Sequence, residues 1–97
     1  MTSTRQIIET IEGMKSELAS RYGVQALYLF GSYARNEQTE QSDVDLLVDF
    51  KTVPDLLTFL EIEEFIADKV GSRIDLVPKR KLKDRLKAQI LKEAIAV

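Results

Sequence analysis

The chain contains no cysteine and no histidine. The first absence excludes disulfides and every cysteine-held zinc site. The second removes Ser-His-Asp and Cys-His nucleophile relays, together with all histidine metal sites. Any acid–base or metal chemistry therefore falls to carboxylates. Long apolar runs are also missing, and none reaches the length that spans a bilayer. Met1 to Arg5 lead into an amphipathic pattern rather than an apolar signal core, so the expected location is cytoplasmic. There is no internal repeat, low-complexity segment or linker. Aromatic residues make up 7%, and the basic C-terminal segment has none, so it offers no stacking platform for single-stranded nucleic acid.

What is present suits one small domain, residues 1–97. Hydrophobic residues are 44% and charged residues 31%, an ordinary globular balance. A core this limited makes partner contacts relevant to stability. The net charge of −2 conceals an asymmetry. Residues 1–78 carry seven Lys/Arg and fourteen Asp/Glu, net −7, whereas residues 79–97 carry seven and two, net +5. A basic end of this kind is either a solvated helix face or a surface for phosphate or an acidic partner.

Hydrophobic spacing predicts a first helix over about Thr4 to Tyr22, with Ile7, Ile11, Met14 and Leu18 inward and Ser3/Gln6 as a capping box. Val24 to Phe30 reads as a buried strand that stops at Gly31-Ser32. After a polar stretch, Val44 to Phe50 reads as a second strand. Its Val44, Leu46, Val48 and Phe50 share one face, and Asp43, Asp45, Leu47 and Asp49 share the other. A second helix follows, with Pro54 in its first turn, an apolar stripe of Leu56, Leu57, Phe59, Leu60, Ile66 and Val70, and Gly71 as its stop. Arg73 to Val77 is a third strand closed by Pro78. A last helix runs from about Leu82 to Ile95, with Leu82, Leu86, Ile90 and Leu91 inward and Lys83 and Lys87 outward. The order is α-β-β-α-β-α, and the fold class is α/β (α+β): a small mixed sheet with helices packed on it.

Three features carry chemistry. Asp43 and Asp45, two apart on a strand, point their carboxylates to one face. Like charges that close repel, and a divalent cation relieves the repulsion. Few carboxylates in one place suit Mg²⁺, which takes its other ligands from water and substrate phosphates. The surrounding sequence does not fit an EF-hand. Gly31-Ser32, directly after a buried strand, lets the backbone approach an anion, with the Ser32 hydroxyl as a donor and Arg35 one turn on. No Gly-Lys-Ser/Thr follows, so this is not a Walker P-loop. Asp75, mid-strand between Ile74 and Leu76, is an outward-facing acid, a partner of Arg73, or a third member of the acid site. It joins the site only if its strand lies beside that of Asp43 and Asp45.

Together, Gly31-Ser32-Tyr33-Ala34-Arg35, a short polar stretch, and Ser42-Asp43-Val44-Asp45-Leu46-Leu47-Val48 resemble the signature of the nucleotidyltransferase superfamily that includes DNA polymerase beta. The short chain, with Arg73-Ile74-Asp75-Leu76-Val77 followed by basic residues, resembles the minimal nucleotidyltransferase branch. That branch includes antitoxins encoded beside HEPN-domain toxins. The resemblance spans about Leu27 to Ala96. It implies the nucleotidyltransferase fold, with Gly31, Ser32, Arg35 and Ser42 at the nucleotide. It also implies Asp43, Asp45 and Asp75 as a catalytic and metal-binding triad for Mg²⁺. Two ions about 3.5–4 Å apart would serve the attacking and leaving oxygens. ATP is the implied substrate, and AMP is transferred to a tyrosine hydroxyl of a HEPN toxin partner. One departure is Asn36, where the family usually has Gly. Asn tolerates left-handed backbone best among the other residues, so the turn is expected to survive.

Two function classes follow. The chain is an AMP-transferring antitoxin, or a binding module that neutralises its toxin by stoichiometric complex formation. The three retained acids favour the enzyme, since pure binding has no use for mutually repelling carboxylates. General nucleic-acid binding fits poorly with the acidic remainder of the chain.

Overall fold

The structure, a computed structural model, describes residues 3–97. Met1 and Thr2, where the reading of a non-signal start begins, lie outside the described residues. Ser3 opens the fold with the expected capping box. Its hydroxyl accepts the Gln6 N–H at 3.1 Å, and the Gln6 side chain accepts the Ser3 N–H at 2.9 Å. Helix α1 (Thr4–Tyr22) buries Ile7, Ile11, Met14 and Leu18 along one stripe and stops at Gly23. Strands β1 (Val24–Phe30) and β2 (Val44–Phe50) occupy the predicted spans.

The second helix, α2, spans Leu56–Val70. Pro54 is not in its first turn. Asp55 caps it instead, accepting the Thr58 N–H at 2.8 Å, so Pro54 precedes the cap. The inward stripe also differs from expectation. Ile62 and Ile66 are buried and Phe59, Phe65 and Val70 partly so, whereas Leu56, Leu57 and Leu60 are exposed. Phe59, Ile62, Ile66 and Val70 follow the helical period that meets the sheet, and the three leucines are rotated off that line.

Strand β3 (Ile74–Pro78) begins one residue later than expected and includes Pro78. As an edge strand it tolerates a residue without an N–H. A 3-10 turn (Lys79–Lys81) then leads to helix α3 (Asp84–Glu93), which is shorter at both ends than the predicted span. The chain closes with a strand the sequence reading lacked, β4 (Ile95–Ala96). The edge of β1 offers backbone partners there: β4 pairs with it, and the Val97 N–H donates to the Leu27 carbonyl at 3.0 Å. Leu86 is not inward. It stands 47% exposed, and Lys87 is half-buried rather than outward, while Leu82, Ile90 and Leu91 are half-buried. The cause is shallow packing, since no residue of α3 is fully buried.

The sheet order is β3-β2-β1-β4. β1 is antiparallel to both neighbours, and β2 is parallel to β3, joined through α2. One face is the core, where Leu27, Leu29, Val44, Leu46, Val48, Phe50 and Leu76 meet the buried stripes of α1 and α2. A register shift between Val24 and Ala26 lets Val24 and Leu27 both join that cluster. The opposite face carries Tyr28, Phe30, Asp45, Leu47, Asp49, Asp75 and Val77. Beyond β3 the chain passes β2 and then β1 on its way to β4, and the Lys79 ammonium sits 5.2 Å from the Tyr28 ring centre. Among the described residues, no helix is long and apolar enough to cross a membrane.

Candidate active site

Parallel pairing of β2 with β3 decides the role open to Asp75. Asp45 and Asp75 are register partners, so both carboxylates leave the same face of adjacent strands, whose spacing is about 4.8 Å. Asp43 precedes β2 by one residue, where the Val44 N–H donates to the Arg73 carbonyl at 2.9 Å. The sequence left Arg73 as one possible partner of Asp75. Its Nε instead meets Asp43 Oδ1 at 3.1 Å, a pair open to solvent. Asp75 is exposed and lines a cleft of about 730 Å³ together with Asp43, Glu63, Glu64 and Leu60.

On the other side of β2, Phe30 is the register partner of Asp45, and Gly31 follows at once. Gly31 has φ 75°, and a Cβ built on it would collide with the Asp45 carboxylate. The missing side chain is thus what lets that carboxylate lie against the loop. Residues 31–36 form a compact turn: Arg35 N–H donates to Gly31 O at 3.2 Å, Asn36 N–H to Tyr33 O at 3.2 Å and Glu37 N–H to Ser32 O at 2.9 Å. Asn36 adopts φ 59°, as expected for an Asn standing in for Gly. Tyr33 is buried, and its carbonyl accepts the Thr4 hydroxyl at 2.6 Å, fastening the loop to the start of α1.

The remaining candidates divide. Ser32 lies at the head of the turn beside Gly31. Arg35 is held by Glu37 at 2.7 Å and by Glu93 of α3 at 3.1 Å. The Ser42 Oγ accepts the Thr39 N–H at 2.9 Å while its own N–H donates to Thr39 O at 3.1 Å, so the residue closes its own turn. Ser42 also lines a polar cleft of about 380 Å³ with Tyr33, Thr39, Ser72 and Arg73. Arg73 borders both clefts, and its ion-pair partner Asp43 lines the one that holds Asp75. Sequence reasoning missed Glu63, whose Oε2 accepts the Leu76 N–H at 3.3 Å from α2, and Glu93. Nothing in their local spacing marks either one.

Electrostatics singles out Asp45. Burial holds its carboxyl above the usual aspartate range, the neighbouring Asp75 and Asp43 charges push it further up, and Arg35 opposes them. Among the described residues, no three carboxylates gather tightly enough to form a ready-made metal cage. The donor set nonetheless fits Mg²⁺. It consists of hard carboxylate oxygens only, one of them lying against the Gly31 backbone, with a repulsion that a cation relieves. Mg²⁺ needs only one or two carboxylates when phosphates supply the rest.

Comparison with known proteins gives the family of the chain and its fold. The family profile described as nucleotidyltransferase domain matches residues 11–97. Protein adenylyltransferase MntA of Thermococcus cleftensis is 42% identical over 97 residues, covering 100% of this chain and 98% of that protein. A solved chain assigned as a minimal nucleotidyltransferase is 34% identical with a TM-score of 0.84, covering 99% of this chain and 97% of the other. A toxin–antitoxin structure with AMP-PNP is 25% identical over 98% of this chain and 72% of its counterpart, with a TM-score of 0.71.

Proposed function

The chain belongs to the nucleotidyltransferase domain family, and from that premise we propose that it is an antitoxin that transfers AMP from ATP to a tyrosine hydroxyl of a HEPN-domain toxin. The observation that carries the reading is the side-by-side register of Asp45 and Asp75, with Asp43 at the mouth of the same strand. The name of the Thermococcus relative supports AMP transfer to protein, and the AMP-PNP complex supports an adenine nucleotide in a toxin–antitoxin pair.

The roles follow from position. The turn opened by Gly31 and Ser32 receives the triphosphate, with Arg35 adding positive charge. Ser42 steadies the segment that leads into Asp43. Asp43 and Asp45, with Asp75, would hold Mg²⁺, which when bound neutralises the triphosphate and lowers the pKa of the attacking hydroxyl. Asp75, the open acid at the cleft, faces the acceptor and takes its proton. The acceptor oxygen bonds to the α-phosphorus, and the bond from that phosphorus to pyrophosphate breaks. This is a reaction of positioning and charge neutralisation, which suits a site without histidine or cysteine. Added AMP brings negative charge and bulk, which repel RNA from the toxin's site.

The test is the intact mass of the HEPN protein after incubation with this chain, ATP and Mg²⁺. Mass should rise by whole AMP units, and Asp43→Ala with Asp45→Ala should abolish the increase. Neutralisation of the toxin with no change in its mass would replace the enzyme with a stoichiometric binding module.

A further inference from the structure

Large exposed hydrophobic side chains among the described residues are concentrated in one place. Leu56 is 71% exposed, Leu57 80%, Leu60 48% and Val53 46%, with Leu86 the remaining one. Four of these five lie within residues 53–60, on and just before the first turns of α2. Single exposed leucines are ordinary, but a contiguous patch marks an interaction surface. The capping of α2 by Asp55 fixes this turn, so the patch is a built feature of the fold.

The patch lies between two features of different charge. Leu56 and Leu60 are one helical turn apart, about 6 Å along the axis. Leu60 lines the same cleft as Asp43 and Asp75. At the other end, Leu56 and Val53 border an apolar pocket of about 220 Å³ floored by Phe50 and Phe59 and edged by Arg80 and Lys81. The leucine face is therefore continuous with the acid cleft on one side and with a basic rim on the other. A protein seated on it reaches the acids without leaving the surface.

Resting on the transfer reading above, we propose that the exposed leucine face of α2 is the docking surface of the acceptor protein. The matching partner surface is an apolar ridge with acidic residues at the end facing Arg80 and Lys81, and the hydroxyl to be modified at the end facing Asp75. A second copy of this chain seated two-fold on these leucines is the competing occupant, and it would cover the acid cleft that the transfer reading needs open. The basic residues of the 3-10 turn, unabsorbed by the catalytic site, gain a role as the steering end of this surface.

The experiment uses a purified HEPN-domain toxin as the probe and compares the wild type with the double variant Leu56→Ser, Leu57→Ser. Calorimetry reads its affinity for the probe, kinetics read KM for the probe and kcat, and a separate titration reads Mg·ATP binding. Affinity and KM should weaken by at least about tenfold, with kcat at saturation and Mg·ATP binding unchanged. Leu57→Lys alone, at the most exposed position, should move the same quantities in the same direction should the double variant fold poorly. Unchanged affinity for the probe overturns the proposal. So does a wild-type dimer in sedimentation that the substitutions convert to monomer while probe binding persists. If the wild type binds the probe without changing its mass, the transfer reading fails, and the affinity comparison still decides the docking surface.

Discussion

The two faces of the sheet are made from the same strands yet filled differently. On the core face, Leu27, Leu29, Leu46, Val48 and Leu76 meet Ile7, Ile11, Leu18, Ile62 and Ile66 with almost no exposure. On the other face, Asp45 and Asp75 stand side by side, Gly31 gives up a side chain to make room, and α3 contributes no fully buried residue. One alternation along β2 serves both, since Val44 and Leu46 point to the core while Asp43 and Asp45 point away. Stability is concentrated on the first face, and the proposed transfer reaction gives the mutually repelling acids of the second their use. Such a division is common where a site is destabilising in itself.

The sharpest way to break this contrast is truncation on each side. Leu18→Ala in α1 should cost about 2–5 kcal/mol, a large share of the stability of a domain this size. Leu86→Ala in α3 should stay within about 0.5 kcal/mol, because the side chain is half-exposed and fills no core space. Urea unfolding of both variants reads the difference. Equal losses would show that the α3 side contributes packing comparable to α1.

Gly31→Ala tests the border between the faces. The left-handed φ alone costs roughly 1–2 kcal/mol for a residue with a Cβ. The new methyl also displaces the Asp45 carboxylate, so Mg·ATP affinity should fall together with stability. Calorimetry alongside thermal unfolding distinguishes the two effects, and a loss of stability with nucleotide affinity intact would separate Asp45 from the loop.

Much of this was legible in the chain. α1 could be read because its cap, stripe and stop agree, and β2 because alternating Val/Leu and Asp leaves a single register. The side-by-side placement of Asp45 and Asp75 was conditional, since sequence spacing cannot say which strands pair. The end of the chain was misread for a physical reason. Leu82, Leu86, Ile90 and Leu91 keep helical spacing, but the helix they form packs shallowly, and the free edge of β1 draws Ile95 and Ala96 into a strand. The leucines of α2 misled in the same way, because periodicity identifies a stripe without saying that something covers it.

A smaller effect sharpens the contrast through pH. The Asp45 carboxyl is held above the usual range by burial and by its acidic neighbours, so the folded state binds this proton more tightly than the unfolded chain does. Ionised Asp45 therefore detracts from stability at neutral pH, and that penalty disappears as pH falls through the folded pKa toward the unfolded one. Asp45→Asn should raise Tm modestly at pH 7 and lose that advantage below the unfolded pKa, near 4. A melting curve series across pH checks the sign, and a Tm lowered at pH 7 would contradict it.

The claim that the outer-face acids serve chemistry is tested most directly at Asp75. Asp75→Asn keeps the size and removes the charge of a residue that is exposed and lies outside the hydrophobic core. AMP transfer to the HEPN protein, followed by intact mass over time, should slow by orders of magnitude while Tm hardly moves. Transfer at the wild-type rate would remove Asp75 from the site and contradict the account.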